Sequence, residues 1–248
     1  MILSLLSFIR TLIGIIDLIV LTLLLYLLSF LPSFLLKGWY RALFRYWCWV
    51  FIRALRVELY LHQKNRRPLP EHYILIGNHP SAFEDLGMSA LFDVYFLAKV
   101  EVKHWWLVGR ISRAAGTFYV QRESKESRQT ASDTLREALA SGHNVGLYPE
   151  GGCKGRRIFI PFRFGPFDLS LQTQTPIVPV FLHYESQSDF EWLNQHLLYK
   201  IWMMFRAQNR HANYYVYDAI DPRQFDSKEA FCDHVQSLYL EWQRRYLD

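Results

Sequence analysis

The sequence predicts an α/β fold in which a mixed sheet is flanked by helices and preceded by a pair of N-terminal membrane helices. Two observations carry that prediction. An apolar run occupies positions 11–31, and beyond residue 60 short segments rich in β-branched and aromatic residues alternate with longer segments of helical periodicity. The composition agrees: of 248 residues, 51% are hydrophobic and 17% aromatic, offset by 28 Lys and Arg and 23 Asp and Glu. Such a chain is too apolar to stay disordered and too charged to be a polytopic membrane protein. The length accommodates one full hydrophobic core with an appendage. We divide it into residues 1–60, the membrane-anchoring helices, and residues 61–248, the domain that carries the chemistry.

The first element is TLIGIIDLIVLTLLLYLLSFL at 11–31, in which Asp17 is the one charge. At ~1.5 Å rise per residue, a helix of this length crosses a hydrocarbon core of ~30 Å. A cleaved signal sequence fits poorly, because the run is long, lacks a small-x-small site and precedes most of its basic residues. Pro32 and Gly38 punctuate the chain before a second helix, GWYRALFRYWCWVFIRALRVE. At about 100° per residue, Tyr40, Phe44, Trp47, Phe51 and Leu55 share one face, and Arg41, Arg45, Arg53 and Arg56 gather on another. This pattern predicts a helix in the headgroup layer, with rings toward the acyl chains and guanidinium groups on lipid phosphates. A true span and a two-helix hairpin in one leaflet both satisfy it, and both leave residues after 60 in the cytosol.

Charge and cysteine usage support the same division. Residues 1–60 hold six basic and two acidic side chains, a net of +4 out of +5 for the whole chain. The positive charge thus belongs to the membrane-seeking part, which argues for a lipid surface and against nucleic acid. Cys48, Cys153 and Cys232 are odd in number and widely spaced, so neither a disulfide framework nor a zinc ribbon is expected. That usage suits a reduced, cytosol-facing domain.

Strands are predicted at 57–61 and, after a linker with Asn65, Pro68 and Pro70, at 73–77, 94–98, 117–121, 144–148, 177–182 and 214–217. Helices are predicted at 82–92, 103–115, 125–141, 190–206 and 228–246, the last with Phe231, Val235, Leu238 and Trp242 on one stripe. No internal repeat or low-complexity segment interrupts the alternation. Walker, nucleophile-elbow, zincin and dinucleotide-binding motifs are all missing, which removes nucleotide hydrolysis, serine hydrolysis and zinc peptidase chemistry at the motif level.

The informative segment is ILIGNHPSAFED at 74–85, a buried strand that ends in a polar turn and opens a helix. An imidazole at the carboxyl end of a strand stands at the mouth of an α/β cleft. From the first turns of the following helix, Glu84 can reach back to His79. A carboxylate on one ring nitrogen fixes the tautomer and raises the basicity of the other, making a base for a hydroxyl proton.

Three later segments join this one in a recognisable order. Together the four blocks resemble the signature of the glycerolipid acyltransferase family, the 1-acyl-glycerol-3-phosphate acyltransferases and their lysophospholipid acyltransferase relatives. The family's Asn-His, four residues and Asp is matched by Asn78, His79 and Glu84. Its Gly-x-x-Phe/Tyr-Ile/Val-x-Arg is matched by GTFYVQR at 116–122, its Phe-Pro-Glu-Gly-Thr-Arg-Ser by YPEGGCK at 148–154, and its Pro-Ile-Val-Pro-Val strand by 176–180. Ala98-Lys99 resembles a further short block, and the likeness runs from about residue 57 to 220.

The resemblance implies a membrane-associated O-acyltransferase that moves a fatty acyl group from acyl-CoA or acyl carrier protein to the hydroxyl of a lysophospholipid resembling lysophosphatidate. It implies that His79 takes the acceptor's proton during direct attack on the thioester, with Glu84 orienting the ring and no covalent enzyme intermediate. Arg122 and Lys99 would hold the acceptor phosphate, and Glu150 and Gly151 would shape its site, with Gly151 and Gly152 amides forming an anion-binding nest. Asn78, Ser81 and Gly116 belong to the same substrate-binding blocks. No metal or cofactor is expected beyond the thioester co-substrate. The expected partners are the bilayer, the lysophospholipid and the acyl donor, with the catalytic domain on the cytoplasmic face of a membrane.

Two departures stand out. Glu84 occupies the family's Asp position and Asp85 follows it; Asp85 takes the role if the turn holds an extra residue, though spacing favours Glu84. The Thr and Arg after Pro-Glu-Gly are Gly152 and Cys153, so a guanidinium is missing, with Lys154, Arg156 or Arg157 nearby to substitute. Cys153 follows Glu150 closely, and a carboxylate there disfavours a thiolate, which argues against a nucleophilic role. These changes leave the acceptor open and keep one alternative, a catalytically silent acyltransferase-like protein that binds lipid or scaffolds a complex. Arg156, Arg157 and Arg163 read as a solvated basic face, and the apolar segment 192–205 as a membrane contact or tunnel wall.

Overall fold

The computed structural model describes residues 2–121, 124–193 and 195–248. Two N-terminal helices, α1 (Ile2–Leu28) and α2 (Ser33–Ala54), lead into a sheet whose strands are β1 (Glu58–Gln63), β2 (Ile74–Gly77), β3 (Tyr95–Lys99), β4 (Phe118–Val120), β5 (Val145–Leu147), β6 (Ile177–Tyr184) and β7 (His211–Val216). The helices between them are α3 (Phe83–Leu91), α4 (Val108–Ala114), α5 (Lys125–Ala140), α6 (Gly165–Thr173), α7 (Gln187–Phe190) and α8 (Leu197–Arg206), with α9 (Lys228–Tyr246) last. Every predicted strand is present. The strand order is β1-β7-β6-β2-β5-β3-β4. β2 to β6 run parallel, while β7 pairs antiparallel with β6 and parallel with β1, so the sheet is mixed.

The pleat divides the core in two. On β2, Leu75 faces a cluster with α2 and α3, whereas Ile74 and Ile76 face one built from α5, α6 and α9. β6 alternates the same way, with Val178, Val180 and Leu182 on the first face and Ile177 and Phe181 on the second. All four residues of β2 are buried, as expected of a central parallel strand. β2 and β6 are neighbours, and the connection leaving β2 leads one way, past β5 to β3, while the one leaving β6 leads the other way to β7. Adjacent strands whose connections diverge open a crevice at their carboxyl ends, where α/β folds bind ligands.

The second helix departs from expectation. Its aromatic face turns inward: Tyr40 and Trp47 are buried, and Phe44 and Phe51 pack against the core. The Tyr40 hydroxyl donates to the Leu25 carbonyl at 2.9 Å and the Trp47 indole to the Thr22 hydroxyl at 2.8 Å, fastening α2 to α1. The arginines divide as well. Arg41 pairs with Asp93 at 2.8 Å and lies over the Tyr95 ring, and Arg45 donates to the Ser89 carbonyl, so neither is simply presented to solvent. The physical reason is volume: α3 and the sheet present an apolar face that rings fill better than lipid contact would. Residue 60 falls within β1, and a left-handed Arg56 (φ 59°) makes the sharp turn from α2 into that strand.

α1 keeps the predicted character. Among the described residues it contains the helix long and apolar enough to cross a membrane, Phe8–Leu28, with 17% of its most apolar window buried. Elsewhere the periodicity was too generous: 103–115 splits into a short 3₁₀ turn and α4, and 190–206 reduces to α7, a non-helical stretch and α8. α6 has no predicted counterpart; it is nine residues long and ends on a left-handed Gln174.

Gly87 shows how tightly α3 seats on the sheet. A Cβ there would overlap the hydroxyl of Tyr214, a fully buried ring on β7. Gly87→Ala is expected to destabilise the protein by ~1–3 kcal/mol through overpacking. Tyr214→Phe in the same chain removes the nearest of the clashing atoms and should restore part of the loss, measured by urea denaturation in detergent.

Candidate active site

β2 stops at Gly77 and hands the chain to a loop, 78–82, at the carboxyl end of the sheet. Asn78 fixes that loop. Its Nδ2 donates to the Leu182 carbonyl at 2.9 Å and its Oδ1 accepts from the Leu182 amide at 2.7 Å, extending the β2–β6 ladder with a side chain. Its side-chain amide is therefore committed to the backbone of β6. Ser81 is likewise fully buried, its Oγ accepting at 3.3 Å from the amide of Phe83, the first residue of α3.

His79 is the pivot. Its Nδ1 lies 3.0 Å from Glu84 Oε2, and its ring stacks on Tyr148 at 4.0 Å and 6°. Its backbone amide donates to Glu150 Oε1 at 2.7 Å. The dyad's carboxylate is Glu84. Asp85 is exposed and lines the rim of an apolar cavity, because one residue rotates it about 100° round the helix.

Glu84 is completely buried, and burial pushes its carboxyl well above the usual carboxylate range. Opposing this, the Tyr184 hydroxyl donates to Oε1 at 2.5 Å and the Ser81 amide to Oε2 at 3.0 Å. Tyr184 was missed by sequence reasoning. Its signal was slight: a hydroxyl-bearing ring on the last residue of a parallel strand, IVPVFLHY.

The loop after β5 approaches from the other side. Glu150 is 1% exposed; Oε1 holds the His79 amide and Oε2 accepts from the Phe159 amide at 2.9 Å. It therefore ties the loop after β2 to the chain at Phe159 from beneath. Burial raises its carboxyl to about 7. Gly151 and Gly152 take φ of 77° and 155°, a path that side chains resist, and this turn carries Cys153 over the imidazole. The thiol Sγ lies 3.4 Å from His79 Nε2.

The remaining expected residues are dispersed. Lys99 ends β3, exposed, at the same edge of the sheet as His79. Gly116 (φ 87°) makes the turn before β4, where a Cβ would press on the Tyr95 ring. Arg122 lies outside the described residues. Beside the dyad is an apolar cavity of about 270 Å³ walled by Phe44 and Trp47 of α2, Phe83 of α3, Phe96 of β3 and Ile201 of α8. The α8 segment is thus a cavity wall on one face, with Leu198, Tyr199 and Trp202 exposed on the other. Among the described residues no cluster of metal-ligating side chains occurs.

The family model described as Acyltransferase matches residues 58–183, which span both loops and the dyad. The chain belongs to the acyltransferase family. This bears out the resemblance carried by the four blocks. A 1-acyl-sn-glycerol-3-phosphate acyltransferase of Neisseria gonorrhoeae is 29% identical over 125 residues, 49% of each chain. The lyso-ornithine lipid O-acyltransferase of Rhizobium meliloti is 35% identical over 113 residues, 45% of this chain and 37% of its own. The chain thus spans about half the length of the curated relatives it matches, or less. The crystal structure of the 1-acyl-sn-glycerophosphate acyltransferase of Thermotoga maritima superposes with a TM-score of 0.61, covering 94% of this chain and 97% of its own at 17% identity, a likeness of fold.

Glu150 yields a pH test. Its carboxyl is raised in the folded state from 4.5 to about 7, so the fold binds a proton that the unfolded chain releases, and this contribution to stability is lost as pH rises through that window. Glu150→Gln gives up one acceptor but cannot ionise. Its destabilisation relative to wild type is expected to be largest below about pH 4.5 and to shrink up to about pH 7, read from denaturation midpoints across pH.

Proposed function

We propose that this protein is a membrane-associated O-acyltransferase that transfers a fatty acyl group from acyl-CoA or acyl carrier protein to the hydroxyl of a lysophospholipid. The observation that carries the reading is the His79–Glu84 pair at 3.0 Å, set at the carboxyl end of β2 beside an apolar cavity. Glu84 holds the proton on Nδ1 and leaves Nε2 as the base. Nε2 takes the acceptor's hydroxyl proton while the oxygen attacks the acyl carbon, and the proton then serves the departing thiolate. The cavity, near the lower end of ligand-pocket sizes of ~300 Å³, receives the acyl chain. Lys99 and Arg122 attract the acceptor's anionic headgroup.

In this reading residues 1–60 anchor the enzyme and residues 61–248 carry catalysis on the cytoplasmic face. Three features support contact with a bilayer: the apolar surface of α1, the exposed Leu198, Tyr199 and Trp202 of α8, and a cavity of about 790 Å³ lined by Arg10, Arg53, Arg56 and Arg210. Because Gly152 and Cys153 replace the family's Thr and Arg, the acceptor panel should include lyso-lipids with and without phosphate; a lyso-ornithine lipid is one, given the named relative.

Purified in detergent with an acyl thioester and that panel, the protein is expected to release free thiol with at least one acceptor. His79→Ala should lower kcat by roughly 10²–10⁴-fold, and undiminished turnover would overturn the assigned base. Glu84→Gln is expected to lose far more activity than Asp85→Asn. Lyso-lipid binding without turnover for every acceptor would instead support the silent, lipid-binding alternative.

Tyr184 supplies a second check. Its hydroxyl favours ionised Glu84, so Tyr184→Phe should raise that carboxyl further. The acidic limb of kcat/KM against pH is then expected to move upward, because a hydrogen bond to the charged form is lost.

A further inference from the structure

We infer that the arginine-lined cavity between α1, the end of α2 and the start of β7 binds the phosphate of one anionic diacyl phospholipid of the bilayer, at a site separate from that of the acyl acceptor. The inference rests on the bilayer contact proposed above and gives that contact a defined ligand. The cavity, of about 790 Å³, falls within the usual range of ligand pockets, roughly 300–1,000 Å³. Four guanidinium groups line it, from Arg10, Arg53, Arg56 and Arg210. The carboxylate that faces them, Glu58, is already engaged: it accepts from the Tyr60 hydroxyl at 2.6 Å and lies 3.1 Å from His211 Nε2.

The cations lack a counter-ion of their own. Arg10, Arg53 and Arg56 are exposed, and among the described residues their side chains have no hydrogen-bond or ion-pair partner. Arg210 donates to the Phe205 carbonyl from Nε at 3.3 Å and from Nη2 at 3.1 Å. Burial, and after it the charge of Arg56, press the Arg210 guanidinium below its ordinary range. An anion set among these groups relieves that repulsion, and phosphate matches them because guanidinium pairs with its oxygens in bidentate fashion. Arg56 adds a second mark. Its backbone is left-handed, φ 59°, a conformation that glycine adopts freely and other residues adopt at a cost. The chain thus keeps a long cation at a turn that favours glycine.

The surroundings point to a lipid and away from a soluble phosphate. Leu6 and Arg10 stand one helical turn apart on α1 and both line the cavity, and the exposed Ile9 and Ile13 continue the same face. Trp49, also exposed, lines it from α2. Cations beside an apolar track fit an amphiphile, whose phosphate meets the guanidinium groups while its chains run along α1.

The register of the sheet supplies the consequence. β6 runs parallel to β2, Tyr184 at its end lies opposite Ala212, and β7 and β1 start together with His211 beside Glu58. Arg210 and Arg56, just before those two strands, therefore stand at the edge of the sheet that bears His79. They lie two and three strands from β2, about 10–14 Å at ~4.8 Å per strand. A phosphate clamped there holds the catalytic edge at the headgroup layer, the depth at which a lyso-lipid presents its hydroxyl.

The test is native mass spectrometry of the full chain in detergent, with phosphatidylglycerol or phosphatidylcholine and no acyl donor. One phosphatidylglycerol per chain is expected to stay bound, in preference to phosphatidylcholine. Arg53→Gln with Arg56→Gly should weaken retention on the order of tenfold or more, as loss of a charge-assisted hydrogen bond does, without lowering the melting temperature, because glycine relaxes the turn. Arg10→Gln, on the other helix, should weaken it as well. Arg66→Gln with Arg67→Gln removes the same charge from exposed positions at the opposite edge of the sheet and should leave retention unchanged. A diacyl lipid is also the product of the proposed reaction, so each lyso-lipid of the acceptor panel is added as a competitor, as are CoA and inorganic phosphate. Retention is expected to survive all of them. Equal retention of phosphatidylcholine, equal losses in the two double variants, or displacement by any competitor would overturn the site. The assay needs no turnover, so a silent protein is tested equally well, and wild type that fails to float with phosphatidylcholine vesicles after detergent removal would count against the bilayer contact itself.

Discussion

A carboxylate sealed completely beneath an imidazole is the constraint on which the rest of this structure depends. Glu84 has no access to solvent, so its charge must be supported by donors fixed in the protein. Three are supplied, by His79, Ser81 and Tyr184, each from a different place in the local architecture. The Ser81 amide is available because the chain turns into α3 there. Tyr184 is available because β6 runs parallel to β2 and ends at the same edge of the sheet. Behind it Tyr214 fills the space that Gly87 leaves open on α3. The site is thus continuous with the packing, and a methyl group added to α3 is felt at the dyad.

The same continuity joins the N-terminal helices to the chemistry. α2 supplies Phe44 and Trp47 to the wall of the cavity, and the same face is fastened to α1 by hydrogen bonds from Tyr40 and Trp47. A segment with the composition of a membrane anchor is therefore also a part of the core. The proposed acyl chain's position is thus linked through α2 to α1, since α2 both bounds the cavity and is hydrogen-bonded to α1.

Much of this was legible in the sequence because it is governed by local pattern. Alternation with a period of two places Ile74 and Ile76 against one layer and Leu75 against the other, and such runs mark strands wherever they occur. The His79 to Glu84 spacing was legible for a similar reason, since five residues across a strand end and a first helical turn bring a carboxylate back to the ring. Reading fared worse where two faces compete. The aromatic face of α2 satisfies the pattern of an interfacial helix, and only the presence of α3 and the sheet shows that it faces protein. Asn78 and Ser81 belong to a substrate-binding block by motif, yet the backbone of β6 and the start of α3 claim their polar atoms.

By itself, the sequence determined the alternation of seven strands with helices, the apolar character of α1, the family and the identity of the candidate base. Those properties depend on neighbours within one or two turns of chain. Only the tertiary structure decided that Glu84 and not Asp85 meets His79, that Tyr184 closes the dyad from 100 residues away, and that Cys153, 74 residues from His79, lies against its Nε2. The physical reason is that a hydrogen bond is set by distances of tenths of an ångström between side chains, and across separate loops those distances are fixed by the packing of the sheet.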